Sequence, residues 1–457
     1  MLGVDMFFKP RDPRSGNMWD VWLYYHDGTY YLYTLCNDGK RWQCDNFTMA
    51  RSSDGVNWTE LGPVLTKDEG VEWMGTGSTW RNPVPGAEPP FQLNYSFWIG
   101  ERQTIFFAQS DDLVHWIKCG KSSEFVQDER WYERNGRWDS IWTIERPGGG
   151  LYGYWTATPK KETGGQFGFG ESLDGINWKA LEPPKVVGVG IGEFGAVEKV
   201  GERYVALFGT NSHMVTLAAN KPQGPFAVLT RNQVVLGGHT YYARFFQSPS
   251  GLLVCHHSIA RDGEVYFGQL KGTDFDADGV LRLTWWPGND ALKHRQVQVV
   301  LPAGREGPIR MLGRKLDART GFVLEGSLKL PEPLGAPCGL YIEHIKGLGT
   351  AILFNSNGRA ELGPIRADGT GFKPDKNVDR EMKFGAPARF KLLLKGPLLE
   401  IYLDDFVIEC YSLPAPATGH IGLISGSKRS AISALKAWQT SLPSAKAFPA
   451  CGTSKEG

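Results

Sequence analysis

The sequence predicts an all-β protein, a five-bladed β-propeller followed by a C-terminal β-sandwich. Three observations support this: the composition, a repeat of roughly 60 residues and a change of pattern after about residue 300. The chain has 57 Gly, 28 Pro, 16 Trp, 16 Tyr and 24 Phe. Glycine and proline mark tight turns, and aromatic residues favour strands. Because 457 residues exceed one compact core, we expect two domains.

The charge and the cysteines exclude several classes of protein. The formal net charge is +1, which gives no basic footprint for nucleic acid or for a membrane surface. Seven scattered cysteines, an odd number without metal-ligand spacing, predict neither a disulfide framework nor a zinc site. The segment "MLGVDMFFKP" lacks the pattern of a secretory signal, so we expect a cytoplasmic protein unless a signal has been removed. We expect no metal and no cofactor.

One repeat element is a turn followed by an aromatic residue. "SSDGVNW" ends at Trp58, "SDDLVHW" at Trp116, "SLDGINW" at Trp178, and a weaker "NKPQGPF" at Phe226. Each follows an alternating apolar strand, such as "FTMARS" or "IFFAQS". The Asp-Gly pair or its equivalent predicts a turn, after which the aromatic residue begins the next strand.

A second element recurs out of phase with the first. It is a hairpin with a glycine turn between aromatic strands: "LYYHDGTYYLYTL", "TIERPGGGLYGYWTA", "VEKVGERYVALFG" and "FFQSPSGLLVCHH". Each unit therefore holds about four strands, as a propeller blade does. A sandwich is the alternative, but a repeat with two turn signatures favours five blades within residues 1–300.

The sequence pattern changes after about residue 300. Strands such as "GFVLEGSLKL" and "LLEIYLDDFVIECYSL" alternate without the turn-and-tryptophan signature, which predicts an antiparallel sandwich over 301–440. The segment "PAGREGP" is the expected linker. Residues 441–457 have a disordered composition, so we predict a flexible tail.

Three acidic residues occupy similar places in three units. Each precedes the glycine of its hairpin turn by eight or nine residues: Asp20, Asp139 and Glu193. Since the innermost strands of a propeller line its channel, we expect the three carboxyls to meet at one end of it. A single acid here is most often a solvated strand-edge residue. Three beside apolar neighbours favour a site. Glu198 is a rival to Glu193 but lies closer to its turn, so we prefer Glu193, and we expect the similarly placed Glu145 to be structural.

Such a set suits glycoside hydrolysis. One carboxylic acid protonates the leaving oxygen, and a second carboxylate attacks the anomeric carbon or activates water. A third stabilises the oxocarbenium-like charge. Crowding carboxyls in a partly apolar pocket raises the pKa of one of them, which then serves as the acid.

These motifs resemble those of the glycoside hydrolase families 32, 43 and 68. "NMWDVWLYYHDGTYYLYTL" resembles their first blade, "RWDSIWTI" their second acidic motif, and "GEFGAVEKVGERYVALF" their third. "GTGST" is similar to a family 32 Ser-Gly-Ser segment, and the sandwich resembles the domain that family 32 appends. The usual Asn-Asp-Pro-Asn, Arg-Asp-Pro and Glu-Cys-Pro contexts are replaced here.

The resemblance implies a role for each acid. Asp20 corresponds to the nucleophile of family 32, or to the base of family 43. Asp139 corresponds to the transition-state stabiliser and Glu193 to the general acid. Family 32 implies retention through a covalent intermediate, and family 43 implies inversion.

Further residues are candidates for substrate binding because of their position near the acids or the resemblance. They are Trp19, Trp22, Trp42, Gln43, Ser78, Arg137, His239, Tyr241 and Arg244. Core packing is an equal alternative for the tryptophans beside Asp20. A channel histidine in family 43 can lie near calcium, and His239 is the candidate here, but we predict no metal.

The sequence therefore predicts a glycosidase acting on a furanoside of fructoside or arabinoside type, with an oligo- or polysaccharide substrate. A glycoside phosphorylase is one alternative, which would need several cationic side chains to hold phosphate. A non-catalytic carbohydrate-binding protein is another. The oligomeric state is left open.

Overall fold

A computed structural model describes residues 6–37, 44–301, 307–332, 337–425 and 432–440. The fold within these ranges is built from 35 strands and three short 3-10 helices, at Lys121–Ser123, Lys161–Thr163 and Pro287–Leu292. No helix in the described ranges has the length and apolar character to cross a membrane.

The first three blades are four-stranded antiparallel sheets in simple sequence order. Blade 1 consists of β1 (Asn17–His26), β2 (Thr29–Asn37), β3 (Cys44–Ser52) and β4 (Thr59–Thr66). Blade 2 consists of β5 (Trp73–Arg81), β6 (Phe91–Ile99), β7 (Arg102–Ser110) and β8 (Ile117–Lys118). Blade 3 consists of β9 (Trp138–Glu145), β10 (Leu151–Ala157), β11 (Gly168–Ser172) and β12 (Trp178–Ala180).

Blades 4 and 5 carry additional strands. Blade 4 consists of β13 (Val186–Val187), β14 (Glu193–Val200), β15 (Arg203–Thr210), β16 (His213–Ala219), β17 (Phe226–Val228) and β18 (Val234–Leu236). Blade 5 consists of β19 (Thr240–Ser248), β20 (Gly251–Ile259), β21 (Val265–Phe267), β22 (Lys271–Phe275) and β23 (Leu281–Trp285). The strands β1, β5, β9, β14 and β19 contact one another in a ring and form the wall of the channel.

The C-terminal sandwich packs two sheets over a second core. One sheet has the order β33-β32-β31-β26-β35-β24, and the other β25-β34-β27-β28-β29-β30. The strands are β24 (Arg295–Val297), β25 (Ile309–Met311), β26 (Phe322–Leu328), β27 (Cys338–Ile345), β28 (Leu348–Phe354), β29 (Arg359–Arg366), β30 (Lys376–Asp379), β31 (Ala388–Lys395), β32 (Leu398–Leu403), β33 (Phe406–Ser412), β34 (Ile421–Ser425) and β35 (Ile432–Gln439). The predicted fold class is confirmed. The predicted domain limits remain predictions, and the tail 441–457 lies outside the described residues.

The turn repeat has a physical explanation in the loop between the third and fourth strands of a blade. In blade 1 the Ser52 hydroxyl accepts a hydrogen bond from the Gly55 N–H at 2.8 Å. The Asp54 carboxylate accepts bonds from Val56 and Asn57 N–H at 2.9 and 2.7 Å. Blades 2 and 3 repeat this pattern around Ser110–Asp112 and Ser172–Asp174. Side-chain oxygens thus satisfy the turn's backbone donors.

All five inner strands are interrupted by a β-bulge near the same end of the channel. The register shifts lie between Met18 and Val21, Gly75 and Ser78, Asp139 and Trp142, Phe194 and Ala196, and Tyr241 and Arg244. A bulge breaks the alternation of a strand and redirects its side chains. Here it brings residues of neighbouring blades towards the channel axis.

The propeller and the sandwich share a continuous sheet and a charged junction. Strand β23 pairs with β33 through Thr284 and Phe406, which joins blade 5 to the sandwich. Lys271 and Glu400 form a fully buried ion pair at 2.7 Å across this junction. Removing one partner of such a buried pair leaves an uncompensated charge and strongly destabilises the fold, so substitution of either residue should destabilise this junction.

Candidate active site

The sequence-predicted acids Asp20, Asp139 and Glu193 line one cavity of about 410 Å³. They arrive there on β1, β9 and β14, three different blades. The remaining lining residues are Trp19, Leu35, Cys44, Glu72, Trp73, Thr76, Trp98, Gln103 and Arg137. The bulged ends of the inner strands therefore converge on a pocket that mixes carboxyls with aromatic rings, as ligand sites commonly do.

Asp139 is held by a chain of buried hydrogen bonds. The Ser96 hydroxyl donates to its Oδ1 at 2.7 Å, and the Gln103 amide donates to that hydroxyl at 2.9 Å. Gly75 makes room for this contact, because a Cβ there would lie 2.5 Å from Asp139 Oδ1 and 2.2 Å from Ser96 Oγ. Burial raises the pKa of Asp139, while the Arg137 charge and the Ser96 hydrogen bond oppose that rise. The carboxyl is thus fixed in orientation.

Arg137 joins two of the three acids. One nitrogen, Nη2, lies 2.9 Å from Glu193 Oε1 and 3.5 Å from Asp139 Oδ2. The two carboxylates raise the pKa of Arg137 despite its burial, so it stays charged. Arg137, two residues before Asp139, thus reaches from blade 3 to the acid of blade 4.

Asp20 is the least satisfied of the acids. Its Oδ1 is buried and has no hydrogen-bond partner, and it lies 3.8 Å from the His257 ring nitrogen Nδ1. Burial lowers the pKa of His257 to about 3, so this ring is neutral and provides no positive charge to stabilise an ionised Asp20. Burial, followed by the nearby negative charge of Glu193, raises the pKa of Asp20 well above its usual value.

The acids differ in depth. The side chains of Asp20 and Asp139 are 12% and 4% exposed, whereas that of Glu193 is 28% exposed. Glu193 thus stands at the mouth of the cavity. The phenol of Tyr241 hydrogen-bonds the Glu193 carboxyl, and burial and the Glu193 charge raise the pKa of that phenol.

Three tryptophans give the cavity flat apolar faces. Trp19 packs against the His257 ring at a centroid distance of 5.2 Å, and Trp73 pairs with Trp98 across β5 and β6. Trp22 does not line the cavity. It is fully buried, stacks on Tyr33 and donates from Nε1 to a threonine hydroxyl at 3.0 Å, so core packing explains it.

Other predicted substrate contacts lie elsewhere. Ser78 is buried beside Ile141, and its hydroxyl accepts a hydrogen bond from the Asn94 amide at 3.0 Å. Arg244 is fully buried and does not line the cavity. His239 packs edge-on against Tyr411 of the sandwich at 5.0 Å and does not line the cavity. Trp42 and Gln43 fall outside the described residues.

Sequence reasoning missed several lining residues on blade 2. Glu72, Trp73, Thr76 and Trp98 reach the cavity, and the Thr76 hydroxyl is buried without a partner. The inner strand β5 itself contains no acid and its hairpin loop is longer, so blade 2 lacked the signal that marked blades 1, 3 and 4. The tryptophan pair flanking that hairpin was the available clue.

Comparison with known proteins places the fold. No protein-family model matches the chain, and no curated protein matches its sequence. Solved structures do match over nearly the whole chain. Fructan 1-exohydrolase IIa from Cichorium intybus is 16% identical, with a TM-score of 0.72 and 97% of each chain covered.

Two further solved structures match the fold of this chain. Sucrose-6-phosphate hydrolase from Lactobacillus gasseri is 16% identical, with a TM-score of 0.70 over 96% of this chain and 93% of that one. A GH32 beta-fructofuranosidase from Bombyx mori is 13% identical, with a TM-score of 0.66 over 97% and 94% of the two chains. The chain therefore has the propeller-plus-sandwich fold of family 32 enzymes. Sequence identities this low establish the fold and not the activity.

Proposed function

We propose that the protein is a retaining glycoside hydrolase that cleaves fructofuranosides. The observation that carries this proposal is the convergence of Asp20, Asp139 and Glu193 in one cavity, where Arg137 bridges the last two. A site that only binds neutral sugar has no need of three buried or half-buried carboxyls, because burying each one costs free energy.

Glycosylation of the enzyme is the first step. Glu193 donates its proton to the glycosidic oxygen as the bond to the anomeric carbon breaks, and the leaving sugar departs. The Asp20 carboxylate attacks that carbon and forms an ester. The Asp139 carboxylate, held by Ser96 and Arg137, faces the positive charge that develops on the sugar ring.

Hydrolysis of the ester is the second step. Glu193, now a carboxylate, takes a proton from water, and the water oxygen attacks the anomeric carbon. The bond to Asp20 breaks, so its carboxylate is regenerated and the configuration is retained. The greater exposure of Glu193 supports its role as the acid, because both the leaving sugar and the incoming water pass the mouth of the cavity.

Three observations support a sugar substrate, and the first of them favours a fructoside. The matched structures include one with 1-kestose and one with fructosylnystose, both bound to proteins named for fructan or fructofuranoside cleavage. The cavity of about 410 Å³ is the size of a pocket that encloses a small ligand. Trp19, Trp73 and Trp98 supply flat faces for a sugar ring.

The test is a substrate panel followed by stereochemistry. Sucrose, 1-kestose, inulin and aryl furanosides and pyranosides are incubated with the protein, and the first-formed anomer is read by NMR. We expect fructose release with retention. Glu193→Gln should abolish release, and Glu198→Gln on the same strand is the matched control. Inversion, arabinose release alone or binding without cleavage would each contradict the proposal.

The phosphorylase alternative finds little support. It needs several cations to hold phosphate. Among the described residues that line the cavity, Arg137 is the one cation. Phosphate added to the assay should therefore leave the products unchanged, without formation of a sugar phosphate.

A further inference from the structure

The loop that leads into Glu193 carries an exposed isoleucine. Ile191 is 82% exposed, which makes it the most exposed large apolar side chain among the described residues. Single exposed apolar residues are common on protein surfaces and need no explanation by themselves. Ile191 differs from the others in its place beside the acid and in the packed backbone that presents it.

Ile191 lies at the outer side of the cavity mouth. Two residues span at most about 7 Å, so its Cα is within that distance of the Cα of Glu193. Exposure rises along this short stretch, from 28% for the Glu193 side chain to 82% for Ile191. The chain therefore continues outward from the acid, whereas the Asp20 and Asp139 carboxyls lie deeper.

The backbone on both sides of Ile191 is anchored. Before it, Val189 packs against the main hydrophobic core. After it, Gly192 lies so close to the neighbouring strand that a Cβ there would be 2.1 Å from the Gly209 carbonyl oxygen. The carbonyl oxygen of Ile191 itself accepts a hydrogen bond from the Thr210 hydroxyl at 3.3 Å. A packed segment of chain thus holds the isoleucine side chain out into solvent.

The leaving group occupies the space next to the acid. In the proposed reaction, Glu193 donates its proton to the glycosidic oxygen from a heavy-atom distance of about 2.6–3.2 Å. The retained sugar has to reach Asp20, so the part of the substrate beyond that oxygen points outward past Glu193. An isoleucine there offers no hydrogen bond to a hydroxyl, but covering it with apolar surface is favourable.

We propose that Ile191 is a specificity-determining residue that selects a leaving group with apolar surface, an alkyl or aryl aglycone. This inference rests on the proposed function, because it needs Glu193 to be the general acid. Ile191 forms and breaks no bond and contacts the leaving group alone. Its loss should therefore change the choice between substrates that carry the same retained sugar, without changing the stereochemistry.

Two fructosides that differ only in the leaving group test this role. The value of kcat/KM is measured for benzyl and methyl β-fructofuranoside with the wild type, Ile191→Ser and Ile191→Val. Both substrates form the same ester with Asp20, so the ratio reports binding and the first step only. We expect Ile191→Ser to lower the benzyl-to-methyl ratio by at least about fivefold, and Ile191→Val to keep most of it. An unchanged ratio in Ile191→Ser would overturn the proposal.

Leu173→Ser is the matched control. Leu173 is 70% exposed, lies between β11 and β12 of blade 3 and does not line the cavity. Removing an exposed apolar side chain at this place should leave the benzyl-to-methyl ratio unchanged. If Leu173→Ser lowered the ratio as much as Ile191→Ser does, the effect would belong to the surface in general, and the proposal would be overturned.

Binding to an inactive variant separates this inference from the proposed function. With Glu193→Gln, calorimetry gives the Kd of both fructosides in the presence and absence of Ile191→Ser. We expect Ile191→Ser to weaken binding of the benzyl compound by about fivefold and to leave that of the methyl compound within about twofold. Fructoside cleavage by the wild type with no change in either ratio would overturn this proposal alone. A wild type that neither cleaves nor binds any furanoside would overturn the proposed function and this proposal with it.

Discussion

The two ends of the propeller channel differ in the side chains that they bring together, and the proposed reaction belongs to one of them. At one end, the starts of the inner strands bring Asp20, Asp139 and Glu193 together around Arg137. At the other end, the later parts of the same strands line a larger cavity of about 1080 Å³ that includes Glu198 and Trp142. We call these the three-acid mouth and the opposite mouth.

A perturbed acid occurs at both mouths. Burial raises the pKa of Glu198 to about 7, opposed only by a hydrogen bond from Gln247. By that criterion alone, the opposite mouth would qualify as a site. Glu145 and the cations Arg81, Arg146 and Lys199 also line it. Among the described residues, however, no cation there bridges Glu198 to a second carboxyl, as Arg137 bridges Asp139 and Glu193. This bridge, more than the number of charges or any single pKa shift, distinguishes the three-acid mouth.

The largest expected effect contrasts an acid at each mouth. Glu193→Gln should lower kcat/KM for the cleaved fructoside by at least about 10³-fold, because the leaving oxygen loses its proton donor. Asp20→Asn should do the same through loss of the nucleophile. Glu198→Gln should leave kcat/KM within about twofold of wild type. Equal losses in Glu193→Gln and Glu198→Gln would erase the contrast between the mouths.

The second effect concerns the arginines. Arg137→Met should lower kcat by about 10²-fold, since Asp139 and Glu193 lose the cation that holds both. Arg146 pairs with Glu171 at the opposite mouth at 3.1 Å and provides the matched control as Arg146→Met. Steady-state kinetics on both variants decide this. A wild-type rate in Arg137→Met would show that the bridge is dispensable.

The third effect concerns stability: the substitution Asp20→Asn, which should lower activity, should raise the melting temperature. Asp20 has a raised pKa in the folded state, so its contribution is favourable below its usual value of 3.8 and is lost as the pH rises through the folded value. Asp20→Asn should therefore melt at a higher temperature than wild type near neutral pH, with a gain on the order of 2 °C or more. Thermal scans from pH 4 to 8 test this, and a lower Tm for the variant across that range would contradict it.

The smallest effect is the matching one at the opposite mouth. The Glu198 carboxyl contributes favourably below its usual value of 4.5, and that contribution is lost as the pH rises through about 7. Glu198→Gln should raise Tm above pH 7 by about 1 °C, less than Asp20→Asn, because Glu198 keeps a hydrogen bond and partial exposure. Thermal scans at pH 5 and 8 compare the two. A larger gain at pH 5 than at pH 8 would contradict the assignment.

The positions of the three acids show how accurately the distance from a turn glycine predicts the depth of a residue along its strand. Counting back from the turn glycines places all three acids at nearly the same level. Counted instead from where regular pairing resumes, at Val21, Trp142 and Ala196, Asp139 and Glu193 match, whereas Asp20 lies two residues further along its strand. The strands differ in length beyond the bulge, so the turn is an inexact reference for depth.

The sequence by itself predicted the architecture, and it selected three acids that the tertiary structure brings into one cavity. The hydrogen bonds of the turn around Asp54 and its counterparts join residues close in sequence, and so does the alternation along a strand. Both can therefore be recognised in a single sequence. The tertiary structure alone decided the depth of Asp20, the reach of Arg137 to Glu193 and the burial of Arg244 between two aromatic rings. Those features depend on bulges in several blades at once, and their electrostatic consequences arise only where residues distant in sequence share one low-dielectric space.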